Sequence, residues 1–381
     1  MIKIGTRPNL FYPSMFIIFN GLRKVDSIIM KRYFKFSCDT LFIFLMFFAD
    51  FLSGLLIYLS HQKFLRKKDI GAYKFMGIEL IKNELDMNRP DGQCKIILLF
   101  FLGSYLDFVE YIFSSYYLPG KYGEISISLE WRLKSFIICF SAFFCYFILG
   151  FPIFKHQKIS LIIILICLII LVVTEMIEHY QNEKVFPVIF LLVINQSFNS
   201  GLDVIEKYLL EYDFLNPFQM LMMEGLIGLF YSSLFTIYQN PFQKIKSVYK
   251  TDPDKFPFLI ILLILFFLLT CGRNIYRVIT NKLYSPTNKA LFDYILTPLL
   301  VIYYFVSEED DSDNNLYSFI INLFISFITV FCSLIYNDFI ILFCCDMERN
   351  THYEVSKRAS VMDLEALNDS DCDSTFNEQF F

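Results

Sequence analysis

The chain has 381 residues, 56% of them hydrophobic with 46 Phe, a mean hydropathy of +0.50 and a formal net charge of −5. That composition excludes an ordinary soluble domain, and the absence of any basic domain or known nucleic-acid motif excludes nucleic-acid binding as a reading. About 20 consecutive apolar residues cross a bilayer as a helix, and the sequence offers about ten such runs. It is read as one polytopic, all-α membrane protein of about ten transmembrane helices.

The first run, Leu10–Met30, is the most charged and carries Arg23, Lys24 and Asp26. The second, Thr40–Ser60, contains Asp50. A long loop, 61–95, follows with Lys63, Arg66, Lys67 and Lys68. The third run, Ile96–Leu118, holds Asp107 and Glu110 and stops at Pro119–Gly120. The fourth, Trp131–Phe151, opens on the single Trp, an interfacial residue type. The fifth, Ile159–Val173, has no charge. The sixth, Val185–Leu210, carries Asp203 and Glu206, and the seventh, Phe218–Tyr238, carries Glu224. Asp203 and Glu206, three apart, share a helix face. A lysine-rich loop, 239–255, has no evident role. The eighth run, Phe256–Thr280, ends with Arg273 and Arg277. The ninth, Thr287–Phe305, contains Asp293, and the tenth is Leu316–Cys345. The tail 346–381 is polar, with a composition expected of a disordered segment.

Lys and Arg are more frequent on the side that would carry both termini, which places that side in the cytoplasm. Lys289 is assigned to a loop of that side and Lys134 to the opposite side. The ten cysteines include no CxxC pair, and the four histidines fall in loops or the tail. No nucleophile elbow, phosphate loop or metal cage is present. The expectation is no enzyme, no cofactor and no metal.

Two stretches repeat. Met46–Leu55 (MFFADFLSGL) aligns with Met220–Leu229 (MLMMEGLIGL), matching Asp50 with Glu224 and Gly54 with Gly228. Leu106–Pro119 aligns with Arg273–Pro286, matching Tyr117 with Tyr284, Pro119 with Pro286, and Glu110 with Arg277. Two copies of five spans would be inverted relative to one another, an arrangement that recurs in secondary transporters. The expected units are 1–180, a first five-helix repeat; 181–345, a second; and 346–381, the tail.

The phrases GLDVIEKYLLEYDFLNPFQMLMMEGLIG and LYSPTNKALFDYILTPLLVIYYF resemble the drug/metabolite transporter superfamily, which includes EamA-type carriers and nucleotide-sugar transporters. The resemblance implies a solute carrier of a eukaryotic endomembrane, with the lipid bilayer and a small-molecule substrate as partners. It leaves a homodimer open. It implies alternating access, with a nucleotide sugar or phosphorylated sugar as the favoured substrate. No clear nucleotide-sugar signature accompanies it.

Ionised groups facing lipid cost about 3 kcal/mol each on insertion scales. The within-span charges, eight acidic and four basic, should therefore point inward and pair. The principal candidates for substrate binding or proton coupling are Glu110, Asp203, Glu206, Glu224 and Arg277. Asp50, Asp107, Arg273 and Asp293 are secondary. Glu110 is expected to be the resting partner of Arg277, whose fork of donors suits an anion. The competing reading is a non-transporting membrane adaptor acting through the tail.

Overall fold

The computed structural model describes residues 2–4, 10–34, 36, 39–67, 72–75, 78–81, 93–122, 129–130, 132–178, 184–212, 215–239, 242–251, 253–307, 316–342, 351 and 354. The long helices are α1 (Phe11–Tyr33), α2 (Asp39–Lys67), α3 (Gln93–Tyr111), α4 (Phe136–Ile148), α5 (Lys155–Glu178), α6 (Val185–Glu211) and α7 (Pro217–Gln239). They continue with α8 (Phe242–Thr251), α9 (Phe256–Leu283), α10 (Pro286–Tyr294), α11 (Thr297–Ser307) and α12 (Leu316–Tyr336). Seven of these helices are long and apolar enough to cross a membrane. The chain is therefore an all-α, multi-pass membrane-type protein.

The punctuation follows local chemistry. Asn216 Oδ1 accepts from Phe218 N at 2.9 Å and caps α7, while Pro217 fills its first turn. Ser285 Oγ accepts from Asn288 N at 3.3 Å and opens α10 the same way. At the end of α4, Gly150 adopts φ +69° and Phe151 N reaches back to Cys145 O at 3.2 Å. The tenth run stops earlier than its apolar composition suggests. Asp338 takes φ 61°, and Phe339 N→Leu334 O (2.9 Å) with Asp338 N→Ile335 O (3.1 Å) closes a Schellman turn. Cys344, Cys345 and nearly all of the tail lie outside the described residues.

Among the described residues, four short strands qualify the all-helical expectation. β1 (Ile2–Ile4) pairs antiparallel with β4 (Ile340–Leu342), bringing the chain start beside the end of α12. β2 (Ala72–Phe75) and β3 (Ile78–Ile81) form a hairpin in the long loop. The lysine-rich stretch 239–255 is largely α8. Its Ile245 and Val248 pack against a cluster containing Met30, Phe42 and Leu259, whereas Lys246 and Lys250 are exposed. One apolar side and one lysine side is the pattern of a helix lying in the membrane interface.

The helices pack in recurring pairs. α2 lies against α7, α1 against α9, α3 against α6 and α7, α2 against α9, α4 against α6 and α10, and α5 against α12. The α2–α7 contact is antiparallel: Phe47 meets Gly228, Phe51 meets Gly225, and Gly54 meets Met222. α1 and α9 are also antiparallel, with Phe19 against Gly272 and Arg23 against Phe266. Two segments are interrupted. A turn at Lys134–Ser135 separates α4 from the short helical stretch before it, and a turn at Ile295–Leu296 separates α10 from α11.

The α2–α7 seam has no spare volume. A Cβ on Gly54 would sit 2.5 Å from Met222 N, and one on Gly225 would overlap the backbone of Phe51. Gly225→Val or Gly54→Val is expected to destabilise by about 1–3 kcal/mol or more, because the clash is with backbone. The readout is a lower melting temperature in detergent. Gly103→Ala, whose Cβ would meet nothing closer than 3.5 Å, should melt like the parent protein.

Candidate functional site

The polar side chains inside the bundle come from α1, α2, α3, the segment before α4, α6, α7, α9 and α10. They fall into two groups about one helical turn apart. α9 supplies a guanidinium to each, since Arg273 and Arg277 are four apart on one face.

The first group surrounds Arg277. Its Nη1 lies 2.7 Å from Glu206 Oε1, and its Nη2 lies 3.6 Å from Glu224 Oε2. Asn281 Nδ2 donates to Glu206 Oε2 at 2.8 Å and to Asp203 O at 3.1 Å, fixing the α6 carboxylates against α9. Lys289 of α10 closes the group with its Nζ 2.5 Å from Asp203 Oδ1. Asp50 and Asp107 are buried beside them, and Arg277 is the cation that acts most strongly on each. Asp203 and Glu206 are 0% exposed, Arg277 3% and Lys289 1%.

The second group surrounds Asp293. Asn20 Nδ2 donates to Asp293 Oδ1 at 2.9 Å, and Lys134 Nζ lies 3.7 Å from the same oxygen. Lys134 Nζ also reaches Asp293 O at 3.5 Å, so the interruption before α4 meets the end of α10. Lys24 and Arg273 are further charged neighbours of Asp293. Arg273 donates to Asn274 Oδ1 (2.9 Å) and Tyr111 Oη (3.4 Å), and its guanidinium lies 5.9 Å from the centre of the Phe16 ring. Arg23 donates to Asn20 Oδ1 at 3.5 Å and covers the Phe266 ring at 5.9 Å.

Asp203, Glu206, Glu224 and Arg277 thus come together as the sequence suggests, joined by Asp50 and Asp107. Glu110 does not. Arg277 is taken by Glu206 and Glu224, while the charged neighbours of Glu110 are Asp107, Glu130, Arg273 and Lys134. Three residues beyond Asp107, Glu110 stands about 4.5 Å further along α3, level with the second group. Arg273 and Asp293 also belong to that group. Lys289 and Lys134 are corrections: neither is a loop charge, because each is the counter-ion of a buried aspartate. The sequence signal for Lys289 was its position on the first turn after Ser285–Pro286, four residues before Asp293.

Other buried charges have local structural roles. Lys207 Nζ donates to Asn281 O, Lys282 O and Tyr284 O at 2.8–3.0 Å, neutralising the C-terminal end of α9. Glu175 binds Arg132 at 2.6 Å and accepts from Asn322 at 3.2 Å, tying α5 to α12. His156 Nε2 lies 2.9 Å from Asp338 Oδ1 and holds the turn after α12.

No family model and no curated protein matches the chain. Among the described residues no cluster of His, Cys, Asp and Glu could hold a metal ion.

Chemically, the first group is acid-rich and the second base-rich. Both are shut away from lipid by the apolar outer faces of the helices. Two unit charges about 4 Å apart attract by about 4 kcal/mol at an effective dielectric near 20. That attraction offsets desolvation only while both partners are present. Lys289→Ala should therefore cost about 3–5 kcal/mol by stranding Asp203. The double change Asp203→Asn with Lys289→Met should recover most of that loss, read as folded yield and melting temperature in detergent. Losses that simply add would contradict the pairing.

Proposed function

We propose that the protein is a secondary carrier that moves a small polar metabolite by alternating access between two inverted five-helix halves. The observation that carries this reading is the enclosed charged network, to which α1, α2, α3 and the segment before α4 contribute from one half and α6, α7, α9 and α10 from the other. A purely structural membrane bundle has no use for so many desolvated charges, and intramembrane ionisable groups mark solute or ion pathways by default.

The packing supports an inverted repeat of ten crossings. If α1 to α5 correspond to α6, α7, α9, α10–α11 and α12, each contact predicts another. α1 with α9 corresponds to α3 with α6, and α2 with α9 corresponds to α3 with α7. The contacts α2–α7, α4–α10 and α5–α12 map onto themselves. The seam glycines follow the same rule, since Gly54 and Gly228 are the matched residues of the two copies. A further match supports it: Gly21–Leu22 of α1 corresponds to Gly201–Leu202 of α6, with Asp26 opposite Glu206. The two interrupted segments occupy corresponding places, and interrupted helices in corresponding places are a pointer to a substrate site. Pairing of β1 with β4 fits an even number of crossings. The termini then lie on the cytoplasmic side, in a eukaryotic endomembrane.

In this scheme the base-rich group (Arg23, Lys24, Lys134, Arg273) suits an anionic part of the solute, such as the phosphate of a sugar phosphate or sugar nucleotide. Arg277, Asp203, Glu206 and Glu224 form the other wall, and Arg277 is already neutralised in this conformation.

The test is uptake into proteoliposomes, after a thermal-shift screen of the purified protein against sugar nucleotides, sugar phosphates and amines identifies a stabilising solute. Arg277→Ala and Glu206→Gln should each reduce uptake about ten- to hundredfold, the worth of a charged hydrogen bond of about 1.5–3 kcal/mol. Unchanged uptake in both variants would remove the assignment. Removal of residues 346–381 should leave uptake intact. Loss of partner proteins with no solute movement in the parent would favour the membrane adaptor instead.

A further inference from the structure

The acid-rich group holds more carboxylates than it has cations. Asp203 has Lys289 at 2.5 Å, and Glu206 has Arg277 at 2.7 Å and the Asn281 amide at 2.8 Å. Three carboxylates, Asp50, Asp107 and Glu224, share what remains. Arg277 reaches Glu224 only at 3.6 Å, as its second partner. Asp50 is 3% exposed and Glu224 4%. Asp50 Oδ1 and Glu224 Oε1 have no hydrogen-bond partner among the described residues. Beside that Glu224 oxygen the chain has a glycine, Gly103, whose Cβ would lie 3.8 Å from it.

The groups that face Glu224 come from each neighbouring helix: Asp50 from α2, Asp107 from α3, Glu206 from α6 and Arg277 from α9. Those acting on Asp50 are Arg277, Asp107, Arg273 and Glu206. Three further negative charges in this space, with no cation of their own, repel one another and have no bulk water to screen them. A proton on one of them cuts the three charges to two and turns the protonated acid from an acceptor into a hydrogen-bond donor.

We propose that Asp50, Asp107 and Glu224 form a proton-carrying site that shares a single proton, loaded from one face of the membrane and released to the other. The position of the site supplies the coupling. Asp50 and Glu224 are the matched acids of the two copies, and the helices that carry them touch at their level, where Gly225 lies against the backbone of Asp50 and Phe51. Ser104 Oγ donates to Glu224 O at 3.2 Å and ties α3 to the same point. Any rocking of one half against the other changes the spacing of these two carboxylates and hence their hold on the proton. The chemistry is a proton leaving water for a carboxylate oxygen and returning to water, with no bond formed to the solute. The proposal rests on the carrier reading.

The experiment is infrared spectroscopy of the purified full-length protein in nanodiscs at about pH 7, well above the ordinary range of Asp and Glu. The parent protein should show the carbonyl stretch of a buried, protonated carboxylic acid. Glu224→Gln should lose at least about half of that band, because the remaining carboxylates repel one another less. Asp50→Asn and Asp107→Asn provide two further variants, each checked for a monodisperse, cooperatively melting sample. A parent protein without the band at neutral pH, or a band unchanged in all three variants, overturns the proposal. So does a band erased by sodium chloride at constant pH, which would assign the site to a metal cation. Failure here leaves the uptake assay untouched, whereas failure of uptake with the band intact removes the carrier and leaves a protonated cluster.

Discussion

Everything in this fold answers to one constraint: a charge taken out of water must meet its counter-charge or a water-lined space. The Asp203–Lys289 and Glu206–Arg277 pairs are the clearest responses. Each joins two helices distant in sequence, and each is shut inside the bundle. Helix–helix association in lipid lacks the hydrophobic drive available in water, so close packing and polar bridges must supply it. The glycine seam between α2 and α7 provides the packing, and the charged network provides the bridges.

The two devices are linked. Close approach at Gly54, Gly225 and Gly228 brings the acids of α2 and α7 together, and α9, packed against both, brings Arg273 and Arg277 within reach. α10 is short and stops at Tyr294, so Lys289 and Asp293 face the two groups from within the bundle rather than from its surface. The outer helices α5 and α12 are bound by Arg132, Glu175 and Asn322 near one end and by His156 and Asp338 at the other. Charges are thus confined to an inner axis and to helix ends, leaving long apolar faces such as Ile162, Ile166 and Ile169 for lipid.

Much of this was legible in the amino acids alone, and the parts that were not have physical reasons. The bounds of α6 and α7 and the start of α2 follow from apolar run length and from Asn216–Pro217, because those signals are local, whereas α2 runs on to Lys67 through charged residues that look like the start of a loop. The acids of α6 and α7 could be read as inward-facing because lipid excludes them. Their partners could not be read, since pairing depends on which helices become neighbours. Glu110 was matched to Arg277 by repeat position, but one turn of α3 separates it from that guanidinium's group. Lys289 and Lys134 looked like loop charges because both sit beside helix breaks. The end of α12 was hidden because a non-glycine residue, Asp338, takes the left-handed conformation there. α8 was missed because its apolar face is only a few residues long.

The central claim is that one face of α7 looks into a polar interior lined by α2, α3, α6 and α9 and the other looks into lipid. Spin labels placed singly from Met220 to Tyr231, with accessibility to dissolved oxygen measured in bilayers, test it most directly. Oxygen accessibility should rise and fall with the helical period, peaking at Leu226 and Phe230, which are 47% and 61% exposed, and staying low at Met220, Leu221 and Glu224, which are 0%, 0% and 4% exposed. A maximum at Glu224, or no periodicity along the helix, would contradict the account.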